Sequence, residues 1–142
     1  MDTSIYTQTA PQFQPGSNLA ANTKFYWRVR SFNSDGHYSA WSAVRYFREV
    51  MISPTVLAPT VGSTTGSLMP VFDWSDVPGV TNYTIQVSAS STFGSFLINT
   101  TTAGSSYAPL KNLPAGKILY WRVKANGTNG PTPWVTVQFR TP

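Results

Sequence analysis

The chain has 142 residues, no cysteine, 11 % charged residues and a formal net charge of +5. That length suits one or two small domains. It excludes a disulfide framework or thiolate metal site, and no apolar run approaches the roughly 18 residues of a membrane-spanning helix.

The ten basic residues stand singly along the chain rather than in a run, so the footprint of a nucleic-acid binder is missing. Ser, Thr, Asn and Gly fill the positions where charges would stand. A cysteine-free small domain must hold together on its core, and five Trp, seven Tyr and eight Phe supply one. No signal-peptide pattern follows Met1, and because the chain is read as starting inside a domain this says nothing about compartment.

Residues 1–50 come first and are already half of a repeat. Tyr26-Trp27-Arg28-Val29 recurs as Tyr120-Trp121-Arg122-Val123, an offset of 94 (Tyr26 to Tyr120). At that offset Phe13 meets Tyr107, Pro15 meets Pro109, Asn18 meets Asn112, Leu19 meets Leu113 and Ala21 meets Ala115. Small slips then bring Trp41 onto Trp134, Val44 onto Val137 and Phe47-Arg48 onto Phe139-Arg140. The sequence before residue 24 holds no counterpart of residues 55–94. Residues 1–50 are therefore expected to be the C-terminal half of a repeat, with counterparts of its last four strands. Phe25, Trp27 and Val29 alternate onto one face that the missing strands would cover, so they form a candidate self-association face.

Within this segment His37 follows Ser34-Asp35-Gly36, with Ser39 close by. A Ser–His–Asp arrangement is available on paper. The spacing is too local to set nucleophile, base and orienter, and a solvated loop is preferred. Residues 51–54 are expected to link the halves, short enough to hold them end to end.

From residue 55 onward strand signals alternate with Gly, Pro, Asn and Ser clusters, with no helical periodicity. Strands are predicted at 55–58, 69–74, 82–88, 96–101, 106–108, 118–125 and 135–140. Period-2 geometry puts Tyr83, Ile85 and Val87 on one face, and Leu119, Trp121, Val123 and Ala125 likewise in the core. Tyr120, Arg122 and Lys124 are expected in water. Trp74 and Trp121 are the bulkiest core candidates. Asp73 and Asp76 lack the further acidic neighbours that a Ca²⁺ site needs, and Asp76 suits the Ser-Asp-Val-Pro-Gly turn. Asn82-Tyr-Thr84, Asn99-Thr-Thr101 and Asn126-Gly-Thr128 match the N-glycosylation pattern, which arises by chance in such a composition. No catalytic, cofactor or metal site is predicted.

The order Pro-Val-Phe-Asp-Trp74, Tyr83-Thr-Ile-Gln-Val, then Leu113-Pro-Ala-Gly-Lys-Ile-Leu-Tyr-Trp-Arg-Val-Lys-Ala125 resembles strands B, C and F of a fibronectin type III domain. The resemblance implies an all-β, immunoglobulin-like β-sandwich in tandem repeats, the first incomplete and the second complete over 55–142. It departs at the family's tyrosine corner, where Leu119 and Phe25 stand without a hydroxyl. Tyr38-Ser-Ala-Trp41-Ser42 is similar to the WSxWS box of receptor-type members. By that resemblance Trp41 stacks on Arg28 or Arg30, and Trp134 on Arg122 or Lys124. Such a ladder either finishes the sandwich or offers a sticky surface to a glycan or protein; finishing the sandwich is preferred, because the pairing accounts for both residue types.

Two functions are carried. The first is a non-catalytic spacer, adhesion or assembly repeat of a larger bacterial extracellular or surface protein, with a protein partner or self-association through the incomplete repeat. The second is an accessory carbohydrate-contacting module of a secreted glycan-degrading enzyme, touching sugar through Tyr26, Tyr120 or the Trp–Arg surface. Fold likeness alone does not choose between them.

Overall fold

The computed structural model describes residue 7 and residues 9–142. Among them there are nine strands and no helix. Two form an N-terminal hairpin, β1 (Lys24–Trp27) and β2 (Arg45–Arg48). The other seven are β3 (Val56–Ala58), β4 (Phe72–Trp74), β5 (Asn82–Ser88), β6 (Ile98–Thr102), β7 (Ser106–Tyr107), β8 (Ile118–Asn126) and β9 (Val135–Arg140). They make a three-stranded sheet, β3-β4-β7, facing a four-stranded sheet, β6-β5-β8-β9, with all pairs antiparallel. This is an immunoglobulin-like β-sandwich of the fibronectin type III kind.

Alternation decides the core. Tyr83, Ile85 and Val87 of β5, and Leu119, Trp121, Val123 and Ala125 of β8, all point between the sheets and are almost fully buried. Phe72 and Trp74 answer from the opposite sheet. Phe72 meets Trp121 at 5.1 Å and Phe139 at 5.7 Å, and Trp74 meets Tyr83 at 5.4 Å, all edge to face. Such pairs add about 0.5–1.5 kcal/mol each to the area term. The polar ends are handled individually. Trp121 Nε1 donates to the Pro59 carbonyl at 3.1 Å, and the Tyr83 hydroxyl accepts the Val77 N–H at 2.8 Å. Burial raises the Tyr83 pKa, the Val77 hydrogen bond opposes the rise, and the Asp76 charge adds to it. Trp74 Nε1 is buried without a partner among the described residues.

Strand ends differ from the sequence expectation where pairing stops. The second strand was expected from Met69 but begins at Phe72, because its neighbour β7 is only two residues long and Leu68 gives its carbonyl to Leu113 instead. β6 starts at Ile98 rather than Phe96, where the register with Val87 ends. Tyr120, Arg122 and Lys124 are half-buried rather than in open water, since Phe93 and Trp134 lie across their sheet.

The N-terminal region departs further. The counterpart of the strand before Tyr107, at residues 1–8, lies outside the described residues except for residue 7. The counterpart of β7, near Phe13, is not a strand. β7 exists because it pairs with β4. The hairpin itself keeps the register of the sandwich: Phe25 opposes Phe47 as Leu119 opposes Phe139. Trp27 opposes Arg45 where Trp121 opposes Val137. Arg45, not Val44, thus takes the position of Val137.

The two regions are clasped. Asn22, at φ 50°, donates from Nδ2 to the Pro78 and Gly79 carbonyls at 3.3 and 3.1 Å. Asn129 Nδ2 donates to the Arg48 and Glu49 carbonyls at 3.3 and 3.1 Å. Met51, in the expected linker, is buried with the sandwich core. It lies so close to Gly127 that a Cβ there would meet its sulfur at 2.6 Å.

Candidate functional site

Two surfaces collect the residues singled out from sequence. The first is the outer, cationic face. Even-numbered residues of the first region fall on it because strand side chains alternate. Lys24 Nζ lies 3.9 Å from the Tyr46 ring centre and 5.1 Å from that of Tyr26. Arg28 stands 4.4 Å from Trp41. Arg30 stands 4.5 Å from Trp41 and 4.0 Å from Tyr38. Cation and ring therefore alternate from Tyr46 to Tyr38.

The sandwich carries a shorter ladder. Arg122 lies 4.1 Å from Phe93 and 4.4 Å from Trp134, and Lys124 lies 4.8 Å from Trp134. Arg122 Nε also donates to Gln86 Oε1 at 2.7 Å, and Gln86 Nε2 donates on to Asn99 Oδ1 at 3.0 Å. Burial pulls the Arg122 pKa down from the usual arginine value. Phe93 was not singled out from sequence. It sits at φ 54° in a Ser- and Gly-rich turn, a backbone region that bulky residues seldom adopt. It is only 6 % exposed, packed under the Arg122 guanidinium, and its N–H donates to the Ser90 carbonyl at 3.1 Å.

The second surface is the inner face of the hairpin. Phe25 stacks on Phe47 at 5.8 Å. Trp27, Val29 and Phe47 are 47 %, 58 % and 40 % exposed. Their counterparts Leu119, Trp121, Val123 and Phe139 are covered by Phe72, Trp74 and their neighbours. The difference is that, among the described residues, no sheet opposes β1 and β2.

The remaining candidates do not assemble. The Ser39 hydroxyl donates to the Ala40 carbonyl, and the His37 N–H is capped by Asn33 Oδ1 at 2.9 Å. Asp35 is engaged by Asn33 and Ser34, so the loop is a hydrogen-bonded turn. Among the described residues no group of three His, Cys, Asp or Glu could hold a metal ion, and no helix is long and apolar enough to cross a membrane.

The family description "Rha78A-like, N-terminal immunoglobulin domain" matches residues 7–53, about one third of the chain. Among solved structures the chain is similar to a Fn3-like protein from Clostridium thermocellum, with 16 % identity, 65 % of this chain and 94 % of that one covered, and a TM-score of 0.49. It is similar to FN3tt at 22 % identity over 64 % of this chain and 97 % of that one, TM-score 0.48. It is also similar to the chicken CNTN1 FN1-FN3 domains at 16 % identity over 85 % of this chain and 44 % of that one, TM-score 0.47. No curated protein matches the sequence.

Proposed function

We propose that the chain is a non-catalytic assembly and spacer repeat of a larger bacterial extracellular or surface protein. In this reading residues 1–50 are the back half of a repeat, 51–54 the junction and 55–142 a complete repeat. The observation that carries it is the uncovered aromatic face of β1 and β2. The complete sandwich gives the template for what covers such a face: a sheet carrying a Phe-x-Trp strand like Phe72-Asp73-Trp74, set edge to face on the partner aromatics. The clasp of Asn22, Met51 and Asn129 supports the spacer role, since it fixes one unit on the next without a free linker.

Without its complement the face turns to another copy, because exposed aromatic patches associate. Static light scattering of the 142-residue chain should rise above the monomer value with concentration, and Trp27→Ser with Phe47→Ser should remove most of that rise. A clean monomer at high concentration would count against the reading. The carbohydrate-contacting alternative draws no support from the ladders, whose indoles Trp41 and Trp134 already have their own cations against them.

A further inference from the structure

The chain has two Asn-Gly pairs, Asn126-Gly127 and Asn129-Gly130, both at the turn that follows β8. In such a pair the glycine has no side chain to obstruct its own backbone nitrogen, which can approach the preceding side-chain amide closely. The two asparagines are held differently. Asn126 is half-buried, and its Nδ2 donates to Asn82 Oδ1 at 2.7 Å and to Thr84 Oγ1 at 2.9 Å, both on β5. Its carbonyl accepts the Thr81 N–H at 2.7 Å. Asn129 is exposed, in the turn where Gly130 sits at φ 84°. Its Nδ2 is the donor that clasps the Arg48 and Glu49 carbonyls. The more accessible of the two labile amides is therefore the one that joins the regions.

We infer that Asn129 is a deamidation site whose product loosens the joint between the two regions. The Gly130 nitrogen attacks Asn129 Cγ and gives its proton to water or hydroxide. The Cγ–Nδ2 bond breaks, ammonia leaves, and a cyclic imide forms. Water then opens the imide at either carbonyl, to aspartate or to isoaspartate. Only water is consumed, and nothing is oxidised or reduced. Either product carries a carboxylate in place of the amide. A carboxylate accepts hydrogen bonds and cannot donate them, so it would meet the Arg48 and Glu49 carbonyl oxygens as acceptor against acceptor. The Arg48 guanidinium does not offset this freely, because its Nη1 already donates to the Asn22 carbonyl at 2.6 Å.

The turn itself accepts the change. Asp35-Gly36 occupies the same turn in the first region: Gly36 N–H donates to the Asn33 carbonyl at 3.1 Å with φ 81°, as Gly130 N–H donates to the Gly127 carbonyl at 3.1 Å. A carboxylate already stands there beside an intact hydrogen-bonded turn. The consequence of deamidation is thus confined to the clasp, and it runs one way. Asn22 and Met51 remain in place, so the joint loosens while the sandwich stays folded.

The joint carries its own reporter. Glu49 is the chain's single glutamate, and Val50 beside it is 71 % exposed. A glutamyl endopeptidase, under conditions that spare aspartate, must take hold of the Glu49 carbonyl that Asn129 holds in the clasp. The full chain is aged in mildly alkaline buffer and mapped by peptide mass. Asn129 should convert at least about ten-fold faster than Asn126, which is released only by local opening of its strand pair. Cleavage after Glu49 should be at least about ten-fold faster in the aged chain and in fresh Asn129→Asp than in the fresh wild type, with circular dichroism unchanged. Asn129→Gln keeps an amide but must close a larger, slower-forming ring, so ageing should leave its cleavage rate unchanged. Conversion of Asn126 as fast as Asn129 would overturn the inference. So would Asn129→Asp cut no faster than the fresh wild type, or ageing that speeds cleavage of Asn129→Gln equally.

Discussion

Residues 24–48 and residues 118–140 share Tyr-Trp-Arg-Val, a later Trp and a closing Phe-Arg and form the same kind of antiparallel pair, yet Trp121 is fully buried while Trp27 is 47 % exposed. The strands themselves do not make the difference. Phe72 and Trp74 arrive from a second sheet in one region, and among the described residues no sheet arrives in the other. A period-2 pattern therefore states which face wants cover, and only the rest of the chain states whether cover exists. The cationic face behaves oppositely: both regions complete their ladders without help, since ring and cation lie on the same sheet or its adjoining loop.

The largest break in this comparison should come from the tryptophans. Trp121→Ala removes a fully buried indole and should cost about 3–5 kcal/mol in urea unfolding, enough to unfold much of the population. Trp27→Ala should cost under about 1 kcal/mol, because a half-exposed ring has little transfer energy to lose. Equal losses would mean that the hairpin face is covered after all.

Next comes the joint between the regions. Gly127→Val places carbon against the Met51 sulfur and should cost about 1–3 kcal/mol by overpacking. Met51→Ala in the same background should restore part of it, which a double-mutant cycle measures.

The ladders sharpen the comparison on a smaller scale. Arg122→Ala loses two ring contacts and a hydrogen bond to Gln86, and should cost about 1–2 kcal/mol. Arg28→Ala loses one ring contact and should cost about 0.5 kcal/mol. Unchanged thermal stability of Arg122→Ala would leave that surface free for a ligand role.

The smallest effect is on pH. Burial raises the folded pKa of Tyr83 above the ordinary tyrosine value of about 10. The folded chain then holds this proton more tightly than the unfolded chain. That contribution is fully present below about pH 10 and is lost as pH climbs through the raised folded value. Melting temperature should fall in that alkaline window, and Tyr83→Phe should flatten the fall while losing the Val77 hydrogen bond.

The sandwich was legible in sequence because its strands alternate strictly and its core residues are aromatic. β5 and β9 run over the residues expected, and the core face of β8 is the one read from its pattern. What escaped reading depends on distant partners. The stretch near Phe13 looks like the segment around Tyr107 but is not a strand. Phe93 gave no periodic signal, since it stands alone in a turn at positive φ. Arg45 rather than Val44 faces Trp27 because a slip in the loop shifts the register by one residue. The clasp of Asn22, Met51 and Asn129 joins residues some 56 to 81 positions apart, with no local pattern to announce it.

Residue-resolved amide exchange on the dilute 142-residue chain tests the contrast most directly. The account predicts that residues 83–87 and 119–125 exchange only by global unfolding. Residues 24–27 and 45–48 should exchange faster by several orders of magnitude, through local opening of a hairpin with one bare face. Equal protection of the two antiparallel pairs would contradict it, because it would require cover over Phe25, Trp27 and Phe47.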